Sequence, residues 1–271
     1  MKSQLLQKYR YSLILLRELV ITDFKLRYQS SALGYVWSLL RPLFMFVILY
    51  TVFVYFFKIG GDIPHFPVYL LLGIVLWNFF SEITNMSVTS IVSQVDVIRK
   101  LNFPRYVIIL SRSISAMINL ALNLVIVAIF MVINQVELTS VAILAPIFVI
   151  EIYVFALSVG FILSALFVRL RDVNYIWEVI MQALFYATPI LYPLSQVSDK
   201  WPWAAQLLLL NPVAQAMQDI RWLVVTEQTG TLFGLSKDLW ITLVPIAITV
   251  ITAIFAVWFF KKRSPYFAEE V

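Results

Sequence analysis

Apolar residues run along this chain in blocks of about twenty, separated by short polar stretches in which the basic residues collect. Blocks of that length match the run of helical residues that crosses the hydrocarbon of a bilayer. They lie at about 36–57, 66–87, 106–133, 141–167, 173–194 and 239–260, and they predict an all-α integral membrane protein with six transmembrane helices. Two further stretches are amphipathic instead. Over about 12–30, Leu13, Leu16, Val20 and Phe24 share one helical face while Glu18, Thr22, Lys25 and Gln29 share the other, the pattern of a helix lying flat on a membrane surface. Asp23 and Arg27 are spaced to pair one turn apart on it. The stretch 203–226 is broken at Asn211-Pro212 into pieces of about 8 and 14 residues, too short to cross. There Val213, Met217, Ile220 and Val224 oppose Gln215, Gln218 and Asp219, which predicts short interfacial or re-entrant helices on the outer face, with Trp201 and Trp203 at the headgroup edge. Pro189 and Pro193 are expected to bend or end the fifth span.

The basic residues then orient the spans. Lys2 to Arg27, Arg41, the loop Arg99 to Arg112, Arg169 with Arg171, and Lys261 to Arg263 put 16 of the 20 Lys and Arg on one side. Lys58, Lys200, Arg221 and Lys237 fall on the other. Lys and Arg concentrate in cytoplasmic loops, so both termini are expected in the cytoplasm. The same distribution makes the net charge of +5 a signal of topology, with no nucleic-acid surface implied. With 62% apolar and 13% charged residues and no linker-like stretch, one membrane domain over 1–271 is the expected organisation. Charges interrupt the first twenty residues and no small-residue cleavage site follows them, so the amino terminus reads as retained.

Little catalytic chemistry is on offer. There is no cysteine, and the one histidine, His65, lies between Pro64 and Pro67 in an expected outer loop, which argues against thiol chemistry, a histidine metal cluster and histidine-based acyl transfer. No G-x-x-x-x-G-K-[ST] occurs, so any ATP is expected on another subunit. Three carboxylates, Glu82, Glu151 and Glu178, fall inside expected spans and must face a cavity, a partner or the bilayer edge. They suit helix–helix hydrogen bonds or a proton relay, with Glu178 in reach of Arg171. Rings at Trp37, Trp77, Tyr153, Phe185, Tyr186 and Tyr192 suit either packing or stacking faces for sugars. Between the second and third spans, Ile91, Val95, Ile98 and Leu101 form an apolar face while Ser93, Asp96 and Lys100 face away, as in a short helix docked on the membrane side. A charged turn alone would also account for that loop. A membrane-embedded transferase lacks its acid/base cluster here, and a secondary carrier lacks its inverted repeats.

Four stretches add a resemblance. Ile21-Thr22-Asp23-Phe24-Lys25-Leu26-Arg27-Tyr28, continuing through Ser31-Ala32-Leu33-Gly34-Tyr35-Val36-Trp37 to Arg41-Pro42-Leu43, is the first; Val97-Ile98-Arg99-Lys100-Leu101-Asn102-Phe103-Pro104-Arg105 is the second. Arg171-Asp172-Val173 and Thr188-Pro189-Ile190-Leu191-Tyr192-Pro193 with Asn211-Pro212 complete the set. In this order, from about residue 20 to 215, they resemble the membrane subunit of ABC-2 type transporters that export polysaccharides. The resemblance implies a homodimer paired with two copies of a separate ATP-binding cassette subunit in a bacterial cytoplasmic membrane. ATP and magnesium would sit on that partner, leaving this chain without cofactor, metal or catalytic residue. It implies a lipid-linked glycan substrate, such as O-antigen, capsule or teichoic acid. Contact with the ATPase falls on Val95, Asp96, Ile98, Arg99, Lys100 and Leu101, joined by Glu18 and Lys25. Arg27, Arg171 and Asp172 are expected at the cytoplasmic mouth, and the six rings named above become a possible channel lining. An ABC-2 exporter of drugs or lipids would share the architecture; Leu33-Gly34-Tyr35-Val36-Trp37 and the abundance of rings favour polysaccharide.

Overall fold

A computed structural model of the chain describes residues 13–23, 25, 34, 36–58, 60, 63–100 and 103–270, and all regular elements among them are helical. Residues 13–23 form α1. The helices that follow are α2 (Val36–Tyr50), prolonged by a π-helical turn over Thr51–Phe56, then α3 (Phe66–Val88), α4 (Ser90–Ser93), α5 (Val95–Lys100) and α6 (Tyr106–Ile133). A 3₁₀ turn over Ser140–Leu144 leads into α7 (Ala145–Arg169), followed by α8 (Val173–Ala187), α9 (Ser195–Ser198), α10 (Pro202–Leu209) and α11 (Pro212–Val224). The chain closes with α12 (Leu232–Ser236), α13 (Leu239–Arg263) and α14 (Phe267–Glu270).

Five helices are long and apolar enough to cross a membrane, Val36–Phe56, Phe66–Val88, Tyr106–Ile133, Ser140–Arg169 and Leu239–Tyr266. These correspond to five of the six apolar blocks. The remaining block, 173–194, is helical only through the 15 residues of α8. That is about 22 Å of helix, short of the ~30 Å hydrocarbon thickness. The stop lies at Thr188, whose backbone is extended at φ −90° and ψ 133°. Pro189 follows, and a proline both disfavours helical backbone in the residue before it and lacks the N–H that would continue the ladder.

Packing assigns the helices unequal roles. In α3, 78% of the most apolar stretch is buried, against 11–28% in the other four, so α3 is the central span. It packs against α2, α6, α7, α8 and α11. Close approach of α7 depends on Gly160, where a Cβ would stand 2.6 Å from Ser87 Oγ of α3. The outer faces of α6, α7 and α13 keep Ile129, Val132, Ile147, Ile150, Ile251 and Ile254 exposed, a surface suited to lipid or to a second copy of the chain.

One wet face was expected for 203–226, and α11 differs. Pro212 to Gln218, Ile220, Arg221 and Leu223 are all buried, because α3, α7 and α13 surround the helix. The Asn211-Pro212 break itself stands as a helix start, with the Asn211 side chain accepting from the Val213 N–H at 3.0 Å and Pro212 in the first turn.

A second apolar cluster closes the end of the bundle where α3 and α7 finish and α6 begins. Ile91, Ile98, Phe103, Val107, Ile109, Val168, Phe260 and Phe267 meet there, and Leu15, Leu16 and Leu19 of α1 pack onto them. Asp23 of α1 forms an ion pair with Arg112 of α6. Its expected partner Arg27 lies outside the described residues.

Candidate functional site

A cavity of about 490 Å³ lies between α2, α3 and α6. Its walls are Trp37, Ser38, Arg41 and Pro42 from α2, Asn78, Ser81, Glu82, Asn85 and Met86 from α3, and Asn119 and Asn123 from α6. On α3, Asn78, Glu82 and Asn85 follow i, i+4, i+7 spacing, and on α6 Asn119 and Asn123 stand one turn apart, so each helix presents a polar stripe to the same space. Asn119 lies about 20 Å along α6 from its first residue, which is close to the middle of that helix. Polar groups at such depth are costly unless they face one another or water. Here they do. Glu82 Oε1 accepts from Asn119 Nδ2 at 2.7 Å, and Asn123 Nδ2 donates to the Asn119 carbonyl at 2.8 Å. Asn85 Nδ2 donates to Ser81 Oγ at 3.0 Å.

At the basic end, α4 and α5 form a bent surface strap. Ile91 and Ile98 are buried in the second cluster, Val95 is half-buried, and Ser93 and Asp96 are exposed. Glu18 and Lys25 are also exposed. Leu101 and the side chains of Arg99 and Lys100 lie outside what the structure describes. Arg171 and Asp172 are exposed at the α7–α8 turn. Arg171 rests over the Phe167 ring at 5.1 Å, and Glu178 takes its hydrogen bond from Asn174 Nδ2 at 2.7 Å, so the expected Arg171–Glu178 contact is replaced by these two. Asn174 precedes Glu178 by one helical turn on the same helix, whereas Arg171 precedes α8 altogether.

At the opposite end, Arg221 is fully buried and ties three elements together. Its guanidinium donates to the Tyr69 carbonyl at 3.0 Å, to the Pro189 and Ile190 carbonyls at 2.6 and 3.0 Å, and to Gln218 Oε1 at 2.9 Å. Its Cζ also lies 3.6 Å from the centre of the Tyr69 ring. Gly73 makes the room, since a Cβ there would collide with the guanidinium. Arg221 therefore binds the broken end of α8 to α3 and α11, and does not sit on the outer surface as its place in the charge count implied. Nearby, Glu151 lies within electrostatic reach of Asp219, which takes a hydrogen bond from Gln215.

Among the six rings singled out from the sequence, Trp37 belongs to the cavity wall. Trp77 is buried against Phe80 and Phe185, and Tyr153 stacks on Phe79 and hydrogen-bonds Ser113 at 3.0 Å. Phe185, Tyr186 and Tyr192 gather at the end of α8, where Tyr192 donates to the Tyr186 carbonyl at 3.2 Å. Sequence reasoning passed over Asn78, Ser81, Asn85, Asn119 and Asn123, although their spacing within apolar runs was a readable signal.

Comparison with known proteins gives this geometry its context. The ABC-2 type transporter family matches residues 15–225. The O-antigen export system permease protein RfbA of Myxococcus xanthus is 30% identical over 212 residues, which cover 77% of this chain and 79% of the relative. RfbA of Klebsiella pneumoniae is 30% identical over 212 residues, 76% of this chain and 80% of the relative. The polysialic acid transport protein KpsM of Escherichia coli is 23% identical over 202 residues, 74% of this chain and 77% of the relative.

Proposed function

The chain belongs to the ABC-2 type transporter family, and we propose that it is the transmembrane subunit of an ATP-driven exporter that moves a lipid-linked, O-antigen-like polysaccharide across the cytoplasmic membrane. The observation that carries this reading is the match to O-antigen export permeases over about three quarters of the chain. In the assembly, two copies of this single-domain chain pair with two copies of a separate ATP-binding cassette subunit, which binds ATP and magnesium. Both termini face the cytoplasm. The sixth crossing is made by α8 together with the buried segment that follows it through residue 194, and α10 and α11 return into the outer half of the bilayer as a re-entrant pair.

The basic end of the bundle is the docking face for the ATPase. There α1 lies along the membrane surface on Leu15, Leu16 and Leu19, with Glu18 and Lys25 outward, while α4 and α5 present Asp96; Arg99, Lys100 and Leu101 complete the proposed contact by their place in the sequence. Closure of the partner subunits on ATP pushes this strap, and the strap pushes α3. Arg27, Arg171 and Asp172 stand at the mouth where a diphosphate-linked carrier approaches. The polymer passes between two copies, along a lining that includes Trp37, Tyr186 and Tyr192, and few fixed charges let a hydroxyl-rich chain slide without being held.

The test is affinity purification of the tagged chain in mild detergent. A roughly stoichiometric ATPase subunit is expected to accompany it, and to be lost when Asp96, Arg99 and Lys100 are changed together while membrane insertion is unaffected. Repeated recovery of the chain alone, folded and active in transport, would overturn the reading.

A further inference from the structure

We infer that the outward face of α13 is a binding site for an anionic phospholipid, whose headgroup phosphate is held by Lys261 and Lys262 at the membrane boundary. The inference goes beyond the exporter reading, since it rests on the membrane-spanning fold and on no property of the cargo. Pro245, Thr249, Ala256 and Phe260 are the α13 residues buried against the bundle. On the opposite side, Ile251, Phe255 and Trp258 lead at helical spacing to Lys262, while Ile254 leads to Lys261, and all of these are exposed. From Ile251 to Lys262 the helix rises about 16 Å, half of the ~30 Å hydrocarbon. The stripe therefore has the length of one leaflet, and the lysines mark its headgroup level.

The headgroup end of this stripe is held in place by its own contacts. Lys262 Nζ lies 5.1 Å from the centre of the Trp258 ring, an attraction that keeps the ammonium over a flat apolar face. Trp258 packs on Phe255 at 5.7 Å and Phe255 on Phe259 at 5.7 Å, so the rings fix one another. Of the three basic residues that end α13, Arg263 has Glu270 at 3.9 Å, while Lys261 and Lys262 form no ion pair among the described residues. Their ammonium groups donate and phosphodiester oxygens accept. Each lysine near a membrane surface favours an anionic lipid by about fivefold, whereas a zwitterionic headgroup brings an ammonium that two lysines repel. A second copy of the chain is the other cover that an apolar face in a membrane can take. Two copies related by a two-fold axis along the membrane normal would meet through the same patch. That would set Lys261 and Lys262 against their own counterparts, so the charge favours lipid.

The test uses the full chain, with any subunit that accompanies it, in nanodiscs of ordinary phosphatidylcholine. These are assembled with a series of mole fractions of phosphatidylglycerol or phosphatidylcholine carrying brominated acyl chains. Loss of tryptophan emission is read against the Trp258→Phe variant, so the difference reports bromine at Trp258. Half-quenching by the brominated phosphatidylglycerol is expected at a mole fraction about 5- to 30-fold lower than by the brominated phosphatidylcholine. Lys261→Gln together with Lys262→Gln is expected to bring the two curves together. Lys262→Gln alone, which serves if the double variant fails to fold, is expected to narrow the gap by about fivefold. Arg17→Gln together with Arg105→Gln removes the same charge from the same end of the bundle and is expected to leave the preference intact. Equal loss of preference in that pair makes the attraction a diffuse one and overturns the inference. Half-quenching at equal fractions of the two lipids overturns it as well, and so does the absence of quenching by either, the result expected if a second copy covers the face. None of these outcomes touches the exporter reading, which is decided by recovery of the ATPase.

Discussion

Replacing Arg221 by methionine removes the polar knot that joins the end of α8 to α3 and α11. The guanidinium serves four neutral oxygens, three of them backbone carbonyls of Tyr69, Pro189 and Ile190. Methionine fills the stem volume but leaves those carbonyls without a donor, at about 1–3 kcal/mol each, or roughly 3–9 kcal/mol in all. Against this stands the relief of no longer burying a charge, which is worth several kcal/mol. The expected net destabilisation is therefore about 3 kcal/mol, or a fall in apparent melting temperature of about 6–12 °C at ~2–4 °C per kcal/mol for a chain of this size. Gly73→Ala provides the cross-check. Its new Cβ stands 2.9 Å from Arg221 Cζ and closer still to Nη2, and the guanidinium is held too firmly to withdraw, so overpacking costs about 1–3 kcal/mol. In the Arg221→Met background the flexible thioether gives way and the same alanine costs far less, so the two substitutions are expected to be non-additive by at least ~1 kcal/mol. Fluorescence-detected thermal unfolding in mild detergent, with a denaturant titration beside it, measures all four corners of the cycle. A melting temperature for Arg221→Met within about 2 °C of the parent, or strict additivity with Gly73→Ala, would refute the account of the knot.

Further expectations follow from the same structure. Asp23→Asn leaves Arg112 without its partner in a largely shielded site, at about 1–3 kcal/mol; limited proteolysis should then cut α1 faster, and the Asp23→Arg, Arg112→Asp exchange should restore part of the protection. Gly160→Ala should lower stability by roughly 1–3 kcal/mol through its contact with Ser87, and Ser87→Gly should relieve most of that loss, both read by thermal unfolding. Trp37→Ala is expected to reduce surface polysaccharide with protein level unchanged, as measured by immunoblot of glycan and chain together; unchanged surface glycan would remove Trp37 from the path. Arg171→Ala should lower export at constant protein level, and intact export would leave Arg171 only its contact with Phe167.

The long helices were legible because a bilayer-length apolar run needs no tertiary information. The expected starts at residues 36, 66, 106 and 239 are the starts of α2, α3, α6 and α13. The fifth block was legible only in part. Its proline signal at Pro189 was present, yet the apolar letters continue to residue 194, and hydropathy alone does not separate helix from the buried run of turns and bends beyond Thr188. Arg221 shows the limit most plainly. By spacing it is an outer-loop cation, and nothing local announces that Tyr69, 152 residues earlier, will supply both a carbonyl and a ring. The cavity lies between these cases. Its stripes, Asn78 with Glu82 and Asn85, and Asn119 with Asn123, are written at helical spacing, but a search confined to ionisable and aromatic residues passes over amides.

These features converge on α3. It is the most buried span, it lines the cavity with Asn78, Ser81, Glu82 and Asn85, and it holds Arg221 between Tyr69 and Gly73 near its other end. One residue, Thr89, separates it from α4 and thus from the strap of the proposed ATPase contact. Over its 23 residues α3 is about 35 Å long, and a helix packed on five neighbours moves as a unit instead of bending locally. In the proposed mechanism a push on α4 and α5 therefore reaches the cavity by tilting or rotating α3 about the Arg221 anchor. Rotation shifts the Asn78–Glu82–Asn85 stripe relative to Asn119 and Asn123 and breaks or reforms the 2.7 Å Glu82–Asn119 bond. The force from ATP would thus alter the hydrogen-bonding wall of the cavity, with no need for α3 to unfold.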